Sequence, residues 1–230
     1  MLALFGLTGS ALLAIDQPKQ VVQTSNTQRV DFPPGGTLSV KNSTGELTIE
    51  AWDQPAVEIE TIKSTKEEYA PAEREKASRD LDHIHINVER KGNDLVIATE
   101  FPHSRFWPPS YPIGGTTPLG VEYHIRVPRD TKLVIEHYTG EVHVDGVTSD
   151  VNVTARQGTI VLHLPESGQY VIDAKSAMGK VMSDFPGSTK THYFWGHEFT
   201  QTAQAPHKLF VRDRFGDIIF LKIHTPQAPL

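Results

Sequence analysis

A glycine-centred unit recurs along the second half of the chain, and it constrains the fold more than any single motif. Alternating apolar and polar residues run into a turn glycine and alternation resumes after it: Leu133–Val144 around Gly140, Val151–Leu162 around Gly158, Tyr170–Met182 around Gly179 and Leu209–Phe220 around Gly216. Period-two alternation places successive side chains on opposite faces of a strand. The glycines lie 18, 21 and 37 residues apart, the last gap matching two turns of the repeat. A coil of roughly 20 residues is one rung of a β-solenoid, in which each rung stacks its apolar residues on the next. Glycine at the corner supplies a positive φ or lets two backbones approach closely. The predicted interior comprises Leu38, Val40, Leu47, Ile49, Leu133, Ile135, Val142, Val144, Val151, Val153, Ile160, Leu162 and Ile172. The fold expected is all-β, a right-handed parallel β-solenoid, with a β-sandwich as the alternative because its strands also recur every 8–12 residues.

The first half carries the same signal with two additions. Thr37–Asn42 and Glu46–Glu50 alternate on either side of Ser43-Thr44-Gly45, and Val57–Ile62 and Val121–Val127 follow suit. Ile84–Val88 and Leu95–Thr99 flank Lys91-Gly92-Asn93-Asp94, which is hairpin chemistry. Residues 70–82 are the one helix candidate, a short insertion in which Pro71 takes an early helical position and good helix formers follow.

Composition narrows the function classes. Lys plus Arg is 22 against 28 for Asp plus Glu, a net charge of −6, which argues against a general nucleic-acid binder. With no cysteine there is no disulfide framework, thiolate metal cage or cysteine nucleophile. Residues 1–15 are apolar and uncharged, too short for a membrane span of roughly 20 helical residues, and end in small residues. They fit a truncated secretory signal, with a buried strand or helix as the alternative. Residues 16–230 are then one domain.

The stretch Leu38–Asp53, with its Asn42-Ser43-Thr44-Gly45-Glu46-Leu47-Thr48-Ile49 turn closing on Trp52-Asp53, followed by Val57-Glu58-Ile59 and the glycine-centred rungs, resembles the DUF4097 family of bacterial exported proteins. The resemblance runs over about residues 27–223. It implies a right-handed parallel β-solenoid of the envelope or exterior, in a family named for adhesion. The family brings no established catalytic residues to carry over, and the proline-rich segment after Phe101 departs from its pattern.

That segment, residues 102–120, is the best local candidate for function. It contains five prolines with Arg105, Phe106, Trp107 and Tyr111 interleaved. Loops beyond about 12–15 residues are usually functional or disordered. Aromatic faces on a proline-stiffened loop could stack on sugar rings or anchor a protein, and Arg105 could bind acids. Alternatively, Phe106 and Trp107 cover an open end of the sheet. A second cluster, His192–Phe199, adds Tyr193 and Trp195 as binding candidates, or as residues buried in an irregular rung.

Eleven histidines invite a metal assignment, but no spacing brings three ligands together. His137, His143 and His163 could form a ladder or simply face solvent. No GxSxG, Walker or GxGxxG motif is present. Asp145, Asp150, Asp173, Asp184, Glu141 and Lys180 could serve a carbohydrate-active enzyme on a β-helix, although acids beside turns are ordinarily solvated. The expectation is therefore a non-enzymatic, exported envelope or surface module without cofactor or metal. Its partner would be an envelope protein or a glycan, and its location periplasm, cell surface or medium. A periplasmic scaffold or envelope-stress accessory is the second possibility and the carbohydrate-active enzyme the third.

Overall fold

The computed structural model describes residues 18–101, 119–192, 196–202 and 204–223. Their strands, in chain order, begin with β1 (Gln20–Asp31), β2 (Thr37–Thr44), β3 (Leu47–Trp52) and β4 (Ala56–Tyr69). A short 3-10 turn at Pro71–Glu73 then leads into α1 (Arg74–Asp82). The hairpin β5 (His85–Lys91) and β6 (Asp94–Glu100) precedes β7 (Leu119–Pro128). The repeating region holds β8 (Lys132–Thr139), β9 (Val142–Asp145), β10 (Val151–Gln157), β11 (Ile160–Pro165), β12 (Tyr170–Ser176) and β13 (Val181–Ser183). It closes with β14 (Ser188–Thr191), β15 (His197–Gln201), β16 (His207–Phe215) and β17 (Ile218–Ile223).

These strands make two sheets and neither closes into a barrel. The first runs β1-β4-β7-β3-β9-β11-β17-β13, and the second β14-β15-β12-β16-β10-β8-β2-β6-β5. Each repeat places one strand in the second sheet, turns at its glycine and places the next strand in the first. All thirteen residues expected inside are at most 1% exposed, and they belong to one core cluster fed by both sheets. Burial alternates residue by residue, with Val151, Val153 and Ala155 facing inward on β10 and Ile160, Leu162 and Leu164 on β11. The helix expected at 70–82 forms over Arg74–Asp82, burying Ala77 and Leu81 where α1 packs on β1 and β4.

Two features differ from a uniformly parallel stack. The sheets are mixed: β1 pairs antiparallel with β4 and β4 with β7, β5 with β6, and β15 with β12 and β14. These pairs lie towards the ends of the stack: β5–β6 and β14–β15 are hairpins, whereas β1 on β4, β4 on β7 and β15 on β12 join strands separated by other elements of the chain. Two sheets sharing one core also suit the sandwich alternative. The rung order differs too, because the C-terminal rung is not last. β16 lies between β10 and β12, and β17 between β11 and β13.

The glycine corners record this order directly. A Cβ on Gly140 would lie 1.9 Å from Gly45 O, one on Gly158 1.7 Å from Gly140 O, one on Gly216 1.6 Å from Gly158 O and one on Gly179 2.0 Å from Gly216 O. The stack is thus 45, 140, 158, 216, 179, with each corner too tight for a side chain. The 37-residue gap between Gly179 and Gly216 therefore contains the β14–β15 hairpin and a return to the middle of the stack.

Beside this corner runs an inward polar column, Ser43, His137, Ala155, Asp213 and Ser176, in register across β2, β8, β10, β16 and β12. Ser43 and Ser176 are fully buried and His137 and Asp213 are 4% exposed. Ser176 Oγ donates to Gly216 O at 2.7 Å, tying this column to the glycine column.

Candidate functional site

The six binding candidates taken from sequence, Arg105, Phe106, Trp107, Tyr111, Tyr193 and Trp195, lie outside the described residues, as does the 1–15 segment. Their anchor points are defined. Residues 102–118 leave β6 at Phe101, which packs against the core, and rejoin at Leu119, which pairs with Thr65 of β4. Residues 193–195 fall in sequence between β14 and β15; on either side of them His192 N donates to Gly196 O at 3.1 Å and the His192 ring meets Glu198 at 3.1 Å.

The residues considered for metal or catalytic roles are dispersed. His137 is buried in the second sheet, whereas His143 and His163 are on the first, so the three form no ladder. His143 contacts Glu141 at 3.1 Å and His163 contacts Asp145. Among the described residues no group of three or more His, Asp or Glu is arranged to hold a metal ion. Asp173 binds Arg212 at 2.8 Å, Asp150 accepts from Lys208 N at 2.9 Å and Asp184 from Lys222 N at 3.2 Å. The residues after the corner glycines do form a ladder, Glu46, Glu141, Thr159, Asp217 and Lys180, with Lys180 N donating to the Asp217 carboxylate at 2.7 Å.

The outer face of the second sheet brings together residues that sequence reasoning missed. Along β8, β10 and β16, Tyr138, Arg156 and Arg214 follow one another, each two residues before a corner glycine. One pair of residues back runs a second row, Glu136, Thr154, Arg212 and Lys175, in register across β8, β10, β16 and β12. Aligning the repeats on their glycines would have exposed the first row.

Aromatic rings hold these cations in place. The Arg156 guanidinium lies 4.9 Å from the centre of the Tyr138 ring and donates to its hydroxyl at 2.5 Å. Arg212 lies 3.9 Å over Phe210, and donates to the Asp173 carboxylate and carbonyl, each at 2.8 Å. Arg214 lies 5.2 Å over Phe215 and is exposed. Stacked guanidinium groups keep their in-plane donors available, so such pairs position charge while covering apolar surface. Tyr138, Arg156, Arg214, Glu136 and Thr154 line a hollow of about 490 Å³.

Two other hollows are less suited to an anionic or apolar ligand. On the outer face of the first sheet, Glu50, Glu58, Glu60, His124 and Arg126 line about 270 Å³, and Arg126 is met by Glu58 at 3.3 Å and Glu50 at 3.7 Å. A mouth of about 310 Å³ between β1, β4 and β5 is lined by Thr24, Asn26, Gln28, Thr61, Lys63 and the isoleucines of β4 and β5. Among the described residues no helix is long and apolar enough to cross a membrane.

No family model matches the chain and no curated protein matches it. Two solved structures do. A candidate cell adhesion protein from Clostridium sporogenes is 14% identical, aligned over 87% of this chain and 100% of that one with a TM-score of 0.50. A candidate adhesin from Bacteroides fragilis is 10% identical over 86% and 97% of the two chains, with a TM-score of 0.25. At its identity and TM-score, the Clostridium structure shares a fold with this chain.

Proposed function

We propose that the chain is a short two-sheet β-solenoid of the DUF4097 type, exported and acting without catalysis as an adhesin-like interaction module of the envelope or cell surface. The observation that carries this is the outer face of the second sheet, where arginine and aromatic side chains are mounted in register on hydrogen-bonded strands. Such a surface is rigid before binding, so little ordering entropy opposes association. The fold shared with a protein named for cell adhesion supports the same direction. Arg105, Phe106, Trp107 and Tyr111 on the proline-rich segment, with Tyr193 and Trp195, are proposed as additional contacts, with Trp107→Ala expected to weaken binding and leave the fold intact.

A protein partner is the second possibility. It is favoured by the apolar row Val161, Ile219 and Met182 across β11, β17 and β13 on the opposite face, where Met182 is 44% exposed.

Co-sedimentation of the purified chain with cell walls and insoluble polysaccharides tests the proposal, with released sugar assayed in the supernatant. Retention without sugar release is expected. Sugar release overturns the non-catalytic assignment, and no retention transfers the function to a protein-binding scaffold.

A further inference from the structure

We infer that the outer face of the second sheet binds an acidic polysaccharide carrying sugar carboxylates, laid from the hollow over β8, β10 and β16 towards Lys175 on β12. This rests on the surface-binding function proposed above and names its ligand class.

Charge is the first reason. The chain as a whole is acidic, with 28 carboxylate residues against 22 Lys and Arg, yet Arg156, Arg212, Arg214 and Lys175 occupy adjoining positions on three neighbouring strands. Arg212 is committed to Asp173. Arg214 and Lys175 are exposed and make no ion pair among the described residues, and Glu198, the register partner of Lys175, contacts His192. A local excess of positive charge against an acidic background recruits an anion and orients it.

Geometry is the second. Strands are about 4.8 Å apart, so side chains at equivalent positions repeat at that interval. An extended polyuronate carries one carboxylate per sugar, its sugars repeating along the chain at roughly a strand spacing, and guanidinium groups donate to carboxylates bidentately. Arg156 and Arg214 in one row and Arg212 and Lys175 in the next thus set pairs of cations on neighbouring strands for such a polymer to bridge.

The remaining lining separates a sugar from other polyanions. Thr154 and the Tyr138 hydroxyl offer hydrogen bonds to sugar hydroxyls, and outside the hollow Phe210, 40% exposed on β16, offers a ring edge to a sugar's apolar face. Glu136, in the same hollow, accepts from hydroxyl groups and repels a dense phosphate polymer.

The test is titration of the whole chain with polygalacturonate at low salt, beside methyl-esterified polygalacturonate and polyphosphate. Polygalacturonate is expected to bind and to weaken as salt screens the charges, whereas the ester and polyphosphate bind at least about tenfold more weakly. The double variant Arg214→Gln/Lys175→Gln should lose about tenfold in affinity while its melting temperature stays at the wild-type value. Lys66→Gln, a control that removes charge from β4 in the first sheet, should bind as wild type. Equal binding of polyphosphate, or of the ester, overturns the ligand class. Unchanged affinity in the double variant overturns the site. Retention on cell walls without polygalacturonate binding overturns this inference alone, whereas loss of both overturns the surface-binding function as well.

Discussion

Ser43 Oγ and His137 Nδ1 meet at 2.8 Å inside the core, joining β2 to β8 beside the corner where the chain passes from one sheet to the other. The other ring nitrogen of His137 has no hydrogen-bond partner, and neither does Asp213 Oδ2 two strands away. Ala155 is the register neighbour of both.

These two groups titrate in opposite senses. Burial pushes His137 down from 6.5 to about 4, and burial pushes Asp213 up from 3.8 to about 6. The unfolded chain protonates His137 first, so its contribution to stability is full above 6.5 and lost as the pH falls towards 4. The folded chain holds the Asp213 proton longer, so that contribution is full below 3.8 and lost as the pH rises through 6. Each effect amounts to about 3 kcal/mol, and between pH 4 and 6 they oppose one another. Asp213→Asn should make stability climb with pH across that window, His137→Leu should make it fall, and the wild type should lie between. Denaturant midpoints at several pH values measure this; three parallel profiles would refute it.

The corner glycines should be the least tolerant positions in the chain. Gly158 has φ +137° and a Cβ there would sit 1.7 Å from a backbone oxygen, a contact that no rotamer change relieves. Gly158→Ala should cost more than about 3 kcal/mol or prevent folding, since the Gly158 rung must move away from the Gly140 rung. Gly92 has φ +65° but nothing within 4 Å of a Cβ, so Gly92→Ala should cost only about 1 kcal/mol of backbone strain. Chemical denaturation of the pair separates packing from conformation, and equal losses would contradict the stacked column.

Much of this architecture was legible because it is local. The alternation identifies Val151 and Val153 as inward whichever strands flank them, and the Lys91–Asp94 turn announces its hairpin. The rung order was not legible, because Leu209 and Ile172 have the same residue class and the same offset from a glycine. Only three-dimensional closure decides that Leu209 pairs with both Val151 and Ile172. The Arg156–Arg214 pair stayed hidden for the same reason: 58 residues separate them, and they become neighbours only once β16 joins β10. The aromatic segments were conspicuous in sequence because their aromatics cluster without alternation, and residues 102–120 are rich in proline, which is rare in strands; both are signals of irregularity rather than of a binding geometry.

A different bond ties the two sheets together. Tyr123 of β7, fully buried, meets Thr99 of β6 at 2.8 Å between hydroxyls, so one hydrogen bond spans the core between the sheets. Burial raises the Tyr123 phenol to about 12. Tyr123→Phe keeps the ring and strands the Thr99 hydroxyl, which should cost about 1–2 kcal/mol. The double variant with Thr99→Val removes both partners and should recover part of that loss. Additive losses would show that the hydroxyls are not coupled.

One rung in the middle of the stack comes after all the others in the sequence. Residues 207–223 are paired on both sides, with β16 between β10 and β12 and β17 between β11 and β13. Until they are in place, Ile172 and Ala174 lack Leu209 and Val211 as neighbours, and Val181 lacks Ile218. The short link after β11 is held by the same rung, since Glu166 N donates to Ile223 O at 3.1 Å. A chain ending at residue 206 should therefore keep slow amide exchange across β2, β3 and β8–β11 and lose it across β12–β15, because a sheet without its parallel neighbour opens locally at little cost. In the 230-residue chain the same segment should gain protection after the earlier rungs during refolding, since its partner is distant in sequence. Full protection of β12–β15 in the shortened chain would mean that β12 closes directly onto β10, bringing Gly179 against Gly158 and making the C-terminal rung an insertion that the rest of the fold does not need.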